Sequence, residues 1–259
     1  MTTFIEKPNR RRVMIFDVET TGLLPRDRTG IPLTELPHIL QISFVIFDTQ
    51  YWRVVKSVDF HINVPSTVEI SPLITELTGI TREKCDSGTT ILNALLEFQQ
   101  EYMLCNMIVA HNIQFDREMI RVEMERNIYK KGGEDRNMIF NAEYENSQLA
   151  ASQRGKLARK VFHAEYEKSV NKEIYCTMQM GRNVCKIERV SKLGKTYFKS
   201  PKLIELYEHL FGMSPQDLHN SLVDTYVCLR CFVKMRFKFD LSLDMFPDIR
   251  FQPIVAEST

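Results

Sequence analysis

Four carboxylates and one histidine stand at spacings that suit metal-assisted chemistry. Asp17 and Glu19 lie in the run D-V-E-T-T-G, Asp116 ends H-N-I-Q-F-D, and His219 and Asp224 bracket H-N-S-L-V-D. Such a set can hold a pair of hard divalent cations and supply a base, an arrangement suited to phosphodiester cleavage. Each cluster also has a plainer reading. Asp17 and Glu19 could be a solvated acid and a capping acid at a strand end. Asp116 could be a favourable charge at a helix N-terminus, and His219 an exposed loop residue.

The elements that would position these groups can be read around them. Residues 13–18, V-M-I-F-D-V, are a short apolar run ending in Thr20, Thr21 and Gly22, the pattern of a buried strand leading into a turn. Asp17 and Glu19 are two apart, so a strand puts both side chains on one face. Two ionised carboxylates so placed repel each other, and a dication between them removes that cost. Residues 107–110 form a second short strand. His111 and Asn112 then open a helix over 112–128 with Phe115, Met119, Val122 and Met124 as apolar positions, and Asp116 falls near its first turn. Leu218, Leu222, Tyr226, Leu229 and Val233 mark a last helix at three- and four-residue spacing. Five residues along an ideal helix is about 140° of rotation, so His219 and Asp224 cannot both aim at one point from a regular helix. His219 is therefore expected in the loop or cap before the helix and Asp224 on its inner face.

Taken jointly and in this order, the three motifs resemble those of the DEDDh exonucleases, a DnaQ-like group on an RNase H-like fold. Histidine five residues before the last aspartate marks the "h" branch. Softer likenesses lie at 38–43 (H-I-L-Q-I-S), 77–81 (L-T-G-I-T), 175–178 (Y-C-T-M) and 201–206 (P-K-L-I-E-L) with Phe211 and Gly212, so the resemblance spans roughly 13–235. It implies an α/β fold with a mixed central sheet of about five strands flanked by helices.

The resemblance also implies roles. Asp17 would bridge two divalent cations, Mg²⁺ with Mn²⁺ as a substitute. Glu19 and Asp224 would complete the water-activating site, Asp116 would hold the second cation, and His219 would be the general base. The reaction would be in-line attack on the terminal phosphodiester of a nucleic acid with a free 3′ end, releasing nucleoside 5′-monophosphates. Thr20 and Leu23 would flank the terminal nucleotide, with Ile80 a further candidate wedge, and His111 and Asn112 would act behind the ligands or toward phosphate. The motifs lean toward DNA. An exoribonuclease trimming RNA 3′ ends is the alternative, and a catalytically silent nucleic-acid-binding module is a reading from another class.

Composition bounds these readings. The chain has 259 residues, 44% of them hydrophobic, and a formal net charge of +1, which does not advertise nucleic-acid binding. A local patch does: Arg182, Lys186, Arg189, Lys192, Lys195, Lys199 and Lys202 face only Glu188, with Tyr197 and Phe198 between them. A solvated hairpin turning near Gly194 explains the same residues. No apolar run reaches about eighteen residues and the first twelve carry no apolar core, so neither a membrane span nor a signal peptide is expected. Six scattered cysteines point to a reducing compartment, cytoplasm or nucleus, and Cys228 and Cys231 read as packing within a helix.

The expected organisation is an N-terminal extension over 1–12, a nuclease domain over 13–237 and a tail over 238–259. Strands at 13–18, 39–47 and 52–62 open the domain as a meander, with a long Pro-containing loop over 24–37 beside the site. Thr90 caps a helix with Leu92, Leu95, Leu96, Phe98 and Met103 as apolar positions. A charged insertion over 129–172 carries Leu149, Gln153, Leu157 and Val161, with Phe162 and Tyr166, at amphipathic spacing. It could be a substrate-guiding arm, a partner-docking element or an ordered decoration, and a structural or recruitment role working through it is a further rival. Phe246, Pro247 and Ile254 mark the tail as a strap or a partner-binding end. Any polymerase partner would be a separate chain, and the oligomeric state is open.

Overall fold

The run I-L-Q-I-S-F-V-I-F-D is buried at all ten positions, which only a strand covered on both faces achieves. It is β2 (Ile39–Asp48), and the sheet is built around it. In this computed structural model, which describes residues 9–128, 161–246 and 249–253, β2 pairs antiparallel with β1 (Asn9–Thr20) and with β3 (Arg53–Asn63). On the far side of β1 come β5 (Cys105–Ala110) and β6 (Glu173–Cys176), both parallel to it. The two-residue β4 (Thr89–Thr90) extends β3, giving a six-stranded mixed sheet in the order β4-β3-β2-β1-β5-β6.

Period-two alternation splits the core between the two faces of the sheet. Met14, Phe16 and Val18 of β1 pack with α3 (Ile91–Leu104) and α4 (Ile113–Ile128). Val13 and Ile15 pack with α7 (Leu203–Phe211) and α8 (Ser221–Phe237). Between β3 and β4 lie two short helices, α1 (Pro72–Thr78) and α2 (Arg82–Asp86). Thr90 caps α3 as expected, its hydroxyl accepting from Asn93 N–H. After β6 come α6 (Thr177–Cys185) and a separate ribbon of β7 (Glu188–Val190) and β8 (Thr196–Phe198).

Three segments are held by contacts that sequence spacing alone did not reveal. Leu149, Gln153 and Leu157 lie outside the described residues. Residues 161–172, expected as the end of a charged insertion, send Tyr166, Glu167 and Lys172 into the interior beside their own buried start. Val161 and Phe162 are buried, and α5 (Ala164–Ser169) follows them. The Tyr102 hydroxyl donates to Glu167 and accepts from Phe162 N–H, while Lys172 donates to the carbonyls of Tyr102 and Cys105. These charges are buried because each meets a partner. The 24–37 loop is pinned to α4 by Arg126, whose guanidinium donates to the carbonyls of Leu33, Leu36 and Pro37 and to Glu123. The tail folds back: Leu241 and Phe246 are buried, and β10 (Phe251–Pro253) pairs antiparallel with β9 (Met213–Pro215).

Candidate active site

Asp17 and Glu19 continue the face of β1 that Val13 and Ile15 turn toward α8. A register shift at Glu19 and Thr20 ends the regular pairing with β2, a common device for re-aiming side chains beside a site. Asp224 stands in the first turn of α8. Asn220 caps that helix by accepting from the N–H groups of Leu222 and Val223, and the Ser221 hydroxyl donates to the Asp17 carbonyl at 2.7 Å. The start of α8 is thereby tied to the end of β1. Asp116 arrives from α4 on the opposite face. It is 2% exposed, and its Oδ1 accepts from Val18 N–H at 3.2 Å.

Four acids from three elements therefore converge, and their proton affinities respond. Burial raises Asp17 from 3.8 to about 7, partly offset by the Ser221 hydroxyl. Burial, then the charges of Asp17 and Asp224, raise Glu19 to about 9. Asp116 and Asp224 are both raised well above the ordinary carboxylate range, by burial first and by Asp17 second. Asp224 Oδ1 is buried without a hydrogen-bond partner among the described residues. Mutually repelling acids and an orphaned carboxylate oxygen suit the binding of a divalent cation. The donor set is all oxygen plus one imidazole, which fits Mg²⁺ or Mn²⁺.

His219 lies just before the cap of α8, where the helical-angle argument put it. One ligand atom from each of Glu19, His219 and Asp224 lies within 4.8 Å of the other two. Its N–H donates to Asp224 Oδ2 at 3.3 Å. His219 takes a φ of 69° and Asp217 a φ of 59°, left-handed values unfavourable for residues with a Cβ. Such a backbone persists only when its surroundings hold it. Here Gln216 N–H donates to the Arg250 carbonyl, and the Arg250 guanidinium binds both oxygens of Asp217.

The other expected site residues divide. Leu23 is 83% exposed just beyond the acids, an apolar surface free to meet a base. The Thr20 side chain is buried and turned away, donating to the Gly22 carbonyl. His111 follows β5, level with Asp17 by the parallel register. Its ring bridges Thr177 Oγ1 and the Pro201 carbonyl, and burial lowers its pKa to about 4, so it is neutral and fixes β5 to α6. Asn112, with φ 66°, turns the chain from β5 into α4. Ile80 is a correction. It is 1% exposed within the core cluster, leaving no side-chain surface for a base.

The basic patch is also divided. Lys186, Arg189, Lys192 and Lys195 lie on or beside the β7–β8 ribbon, whose six strand residues are exposed. Lys199 is instead neutralised by Glu205 at 2.5 Å, which corrects it from an open phosphate contact to an anchor of α7. Lys202 is the N-cap residue of α7, its backbone N–H donating to Glu205, and it is exposed.

The residues that position α8 were not anticipated. Gln41 and Ser43 share the α8-facing side of β2; both donate to Asp59 Oδ1, and Gln41 Oε1 accepts from Ser221 N–H. Their signal was available as two polar interruptions in an otherwise apolar strand.

The RNase T family of exonucleases matches residues 14–161, more than half of the chain. The chain belongs to this exonuclease family. Its motif residues are those of the DEDDh branch, and the matched stretch contains Asp17, Glu19 and Asp116. Among curated proteins, the PolC-type DNA polymerase III of Thermotoga petrophila and that of Thermotoga maritima are each 30% identical over 113 residues. That alignment covers 44% of this chain and 7% of either polymerase. Among solved structures, E. coli Exonuclease I in complex with a dA16 oligonucleotide aligns at a TM-score of 0.53 and 14% identity, over 92% of this chain and 42% of that one. Cell-death related nuclease 4 (CRN-4) aligns at 0.54 and 13%, over 89% of this chain and 65% of its own. At these identities the structures establish the shared fold alone.

Proposed function

We propose that this chain is a metal-dependent 3′-to-5′ exonuclease that releases nucleoside 5′-monophosphates, with DNA as the preferred substrate. The observation that carries the reading is the convergence of Asp17, Glu19, Asp116 and Asp224, with His219 beside Glu19 and Asp224. Asp17, Glu19, Asp116 and Asp224 would hold the divalent cations. When bound, such cations activate water and stabilise the leaving 3′ oxygen. The chain's own residues do the rest. His219, on a loop open to solvent, accepts the proton of the attacking water. Leu23 lays an exposed aliphatic surface against the terminal base. Ser221 and Asn220 hold the start of α8 so that Asp224 stays on station.

DNA preference is supported by the PolC-type likeness, which also makes a polymerase the proposed protein partner. The six unpaired cysteines support a reducing compartment. A 5′-labelled single-stranded DNA with Mg²⁺ should give a ladder shortening from the 3′ end, and none with chelator. Asp17→Ala should slow it by about a thousandfold. Equal rates with Mg²⁺ and chelator would instead identify a silent binding module. A matched RNA degraded faster than the DNA would make the chain an exoribonuclease.

A further inference from the structure

The β7–β8 ribbon is a two-stranded sheet with water on both faces, an arrangement that is marginal without another use. It carries Val190, Leu193 (87% exposed), Tyr197 (50% exposed) and Phe198, none of which joins either core cluster. Lys186, Arg189, Lys192 and Lys195 have no ion pair among the described residues, in contrast to Lys199 with Glu205. Arg189 and Tyr197 face each other across the strands, so a cation and an aromatic ring share one face.

The root of the ribbon is fixed at the catalytic end of the sheet. Lys199 N–H donates to the Ile187 carbonyl, closing the stem. Two residues on, the Pro201 carbonyl meets the ring of His111, which stands level with Asp17. The ribbon thus leaves the body from the edge where the acids gather.

We propose that the ribbon is a binding arm for single-stranded nucleic acid upstream of the scissile bond. Arg189, Lys192 and Lys195 pair with backbone phosphates, and Tyr197 stacks on a base. Stacking requires an unpaired base, which selects a single strand over a duplex. The proposal rests on the exonuclease reading for its substrate, but its test is separable.

The full chain and the triple variant Arg189→Gln/Lys192→Gln/Lys195→Gln are compared on two substrates with Mg²⁺. One is a 20-nucleotide single-stranded DNA, and the other is the p-nitrophenyl ester of thymidine 5′-monophosphate, too short to reach the ribbon. Three single-strand phosphate contacts are worth about a hundredfold in affinity near 0.1 M salt. The expected result is that the 20-mer's kcat/KM falls at least tenfold relative to the ester's. In anisotropy with chelator, the slope of log affinity against log salt should shrink by about 2. Tyr197→Ala should weaken binding about fivefold or more with the slope unchanged, and Lys192→Arg/Lys195→Arg should retain it. An unchanged slope, or an equal loss on both substrates, would overturn the arm. If neither substrate is cleaved by the parent chain, the exonuclease reading fails while the anisotropy result still decides the ribbon.

Discussion

Stability should report the acid cluster before any turnover is measured. Asp17 moves from 3.8 to about 7 and Glu19 from 4.5 to about 9 on folding, with Asp116 and Asp224 raised in the same direction. A carboxyl group whose affinity for its proton rises on folding holds more protons folded than unfolded. Stability must then fall with rising pH between the two values. Below about pH 4 the groups are protonated in both states and cost nothing; through pH 7 to 9 the folded chain must ionise them at close quarters. A tenfold change in proton affinity is about 1.4 kcal/mol, so Asp17 alone would cost about 4 kcal/mol if fully shielded. Asp17 and Glu19 are both partly open to water, and they share one repulsion, so about 3 kcal/mol for the cluster is the expected penalty. For a domain of this size that is about 6–12 °C in Tm. The assay is thermal unfolding in chelator from pH 5 to 9, against an Asp17→Asn/Glu19→Gln control that removes those two titrations and their repulsion of Asp116 and Asp224. The parent should lose that margin relative to the control as pH rises. Mg²⁺ or Ca²⁺ should restore it at pH 8 and do little at pH 5. A parent that tracks the control across the range, or gains nothing from cations at pH 8, would refute the convergence of these acids on a cation site.

Four further outcomes follow from the same geometry. Asp224→Asn should lower turnover by about a thousandfold yet raise Tm in chelator at pH 8, because it removes a repelling charge; turnover and unfolding are read on one preparation. Leu23→Ala should raise KM for single-stranded DNA severalfold without moving Tm by more than about a degree, since an exposed side chain contributes little to the fold. Ile80→Ala should cost about 2–5 kcal/mol in chemical denaturation by opening a core cavity; a KM effect with no stability loss would return Ile80 to the substrate. Arg250→Ala should lower kcat about tenfold with KM nearly constant, because the loop carrying His219 loses its clamp, and Asp217→Arg/Arg250→Asp should recover most of it.

Much of this molecule is written locally. β2 reads as buried because apolar residues run through it, and the chemical residues stand out because each lies at one end of an apolar element. The angle between His219 and Asp224 placed the histidine outside the helix by arithmetic alone. What was not written locally is pairing. Arg126, Glu167 and Lys172 look like surface charges in sequence, and each is buried by partners that are remote or unguessable from spacing. Ile80 carries the family's loop pattern, yet an aliphatic residue serves a core or a base equally well, and only its neighbours decide which.

The loop of His219 is where that limit bears most on chemistry. Nothing in residues 216–220 explains why a histidine and an aspartate accept left-handed backbone within three residues of each other. The cause lies 33 residues downstream, in the charge of Arg250 across Asp217 and in the β9–β10 pairing beside it. An exposed ion pair adds little to global stability, so selection for folding alone gives it no purpose. Its contact is with Asp217, two residues before the histidine whose ring lies beside Glu19 and Asp224. If that clamp directs the ring, a chain cut after Lys238 should lose turnover beyond what its fall in Tm accounts for.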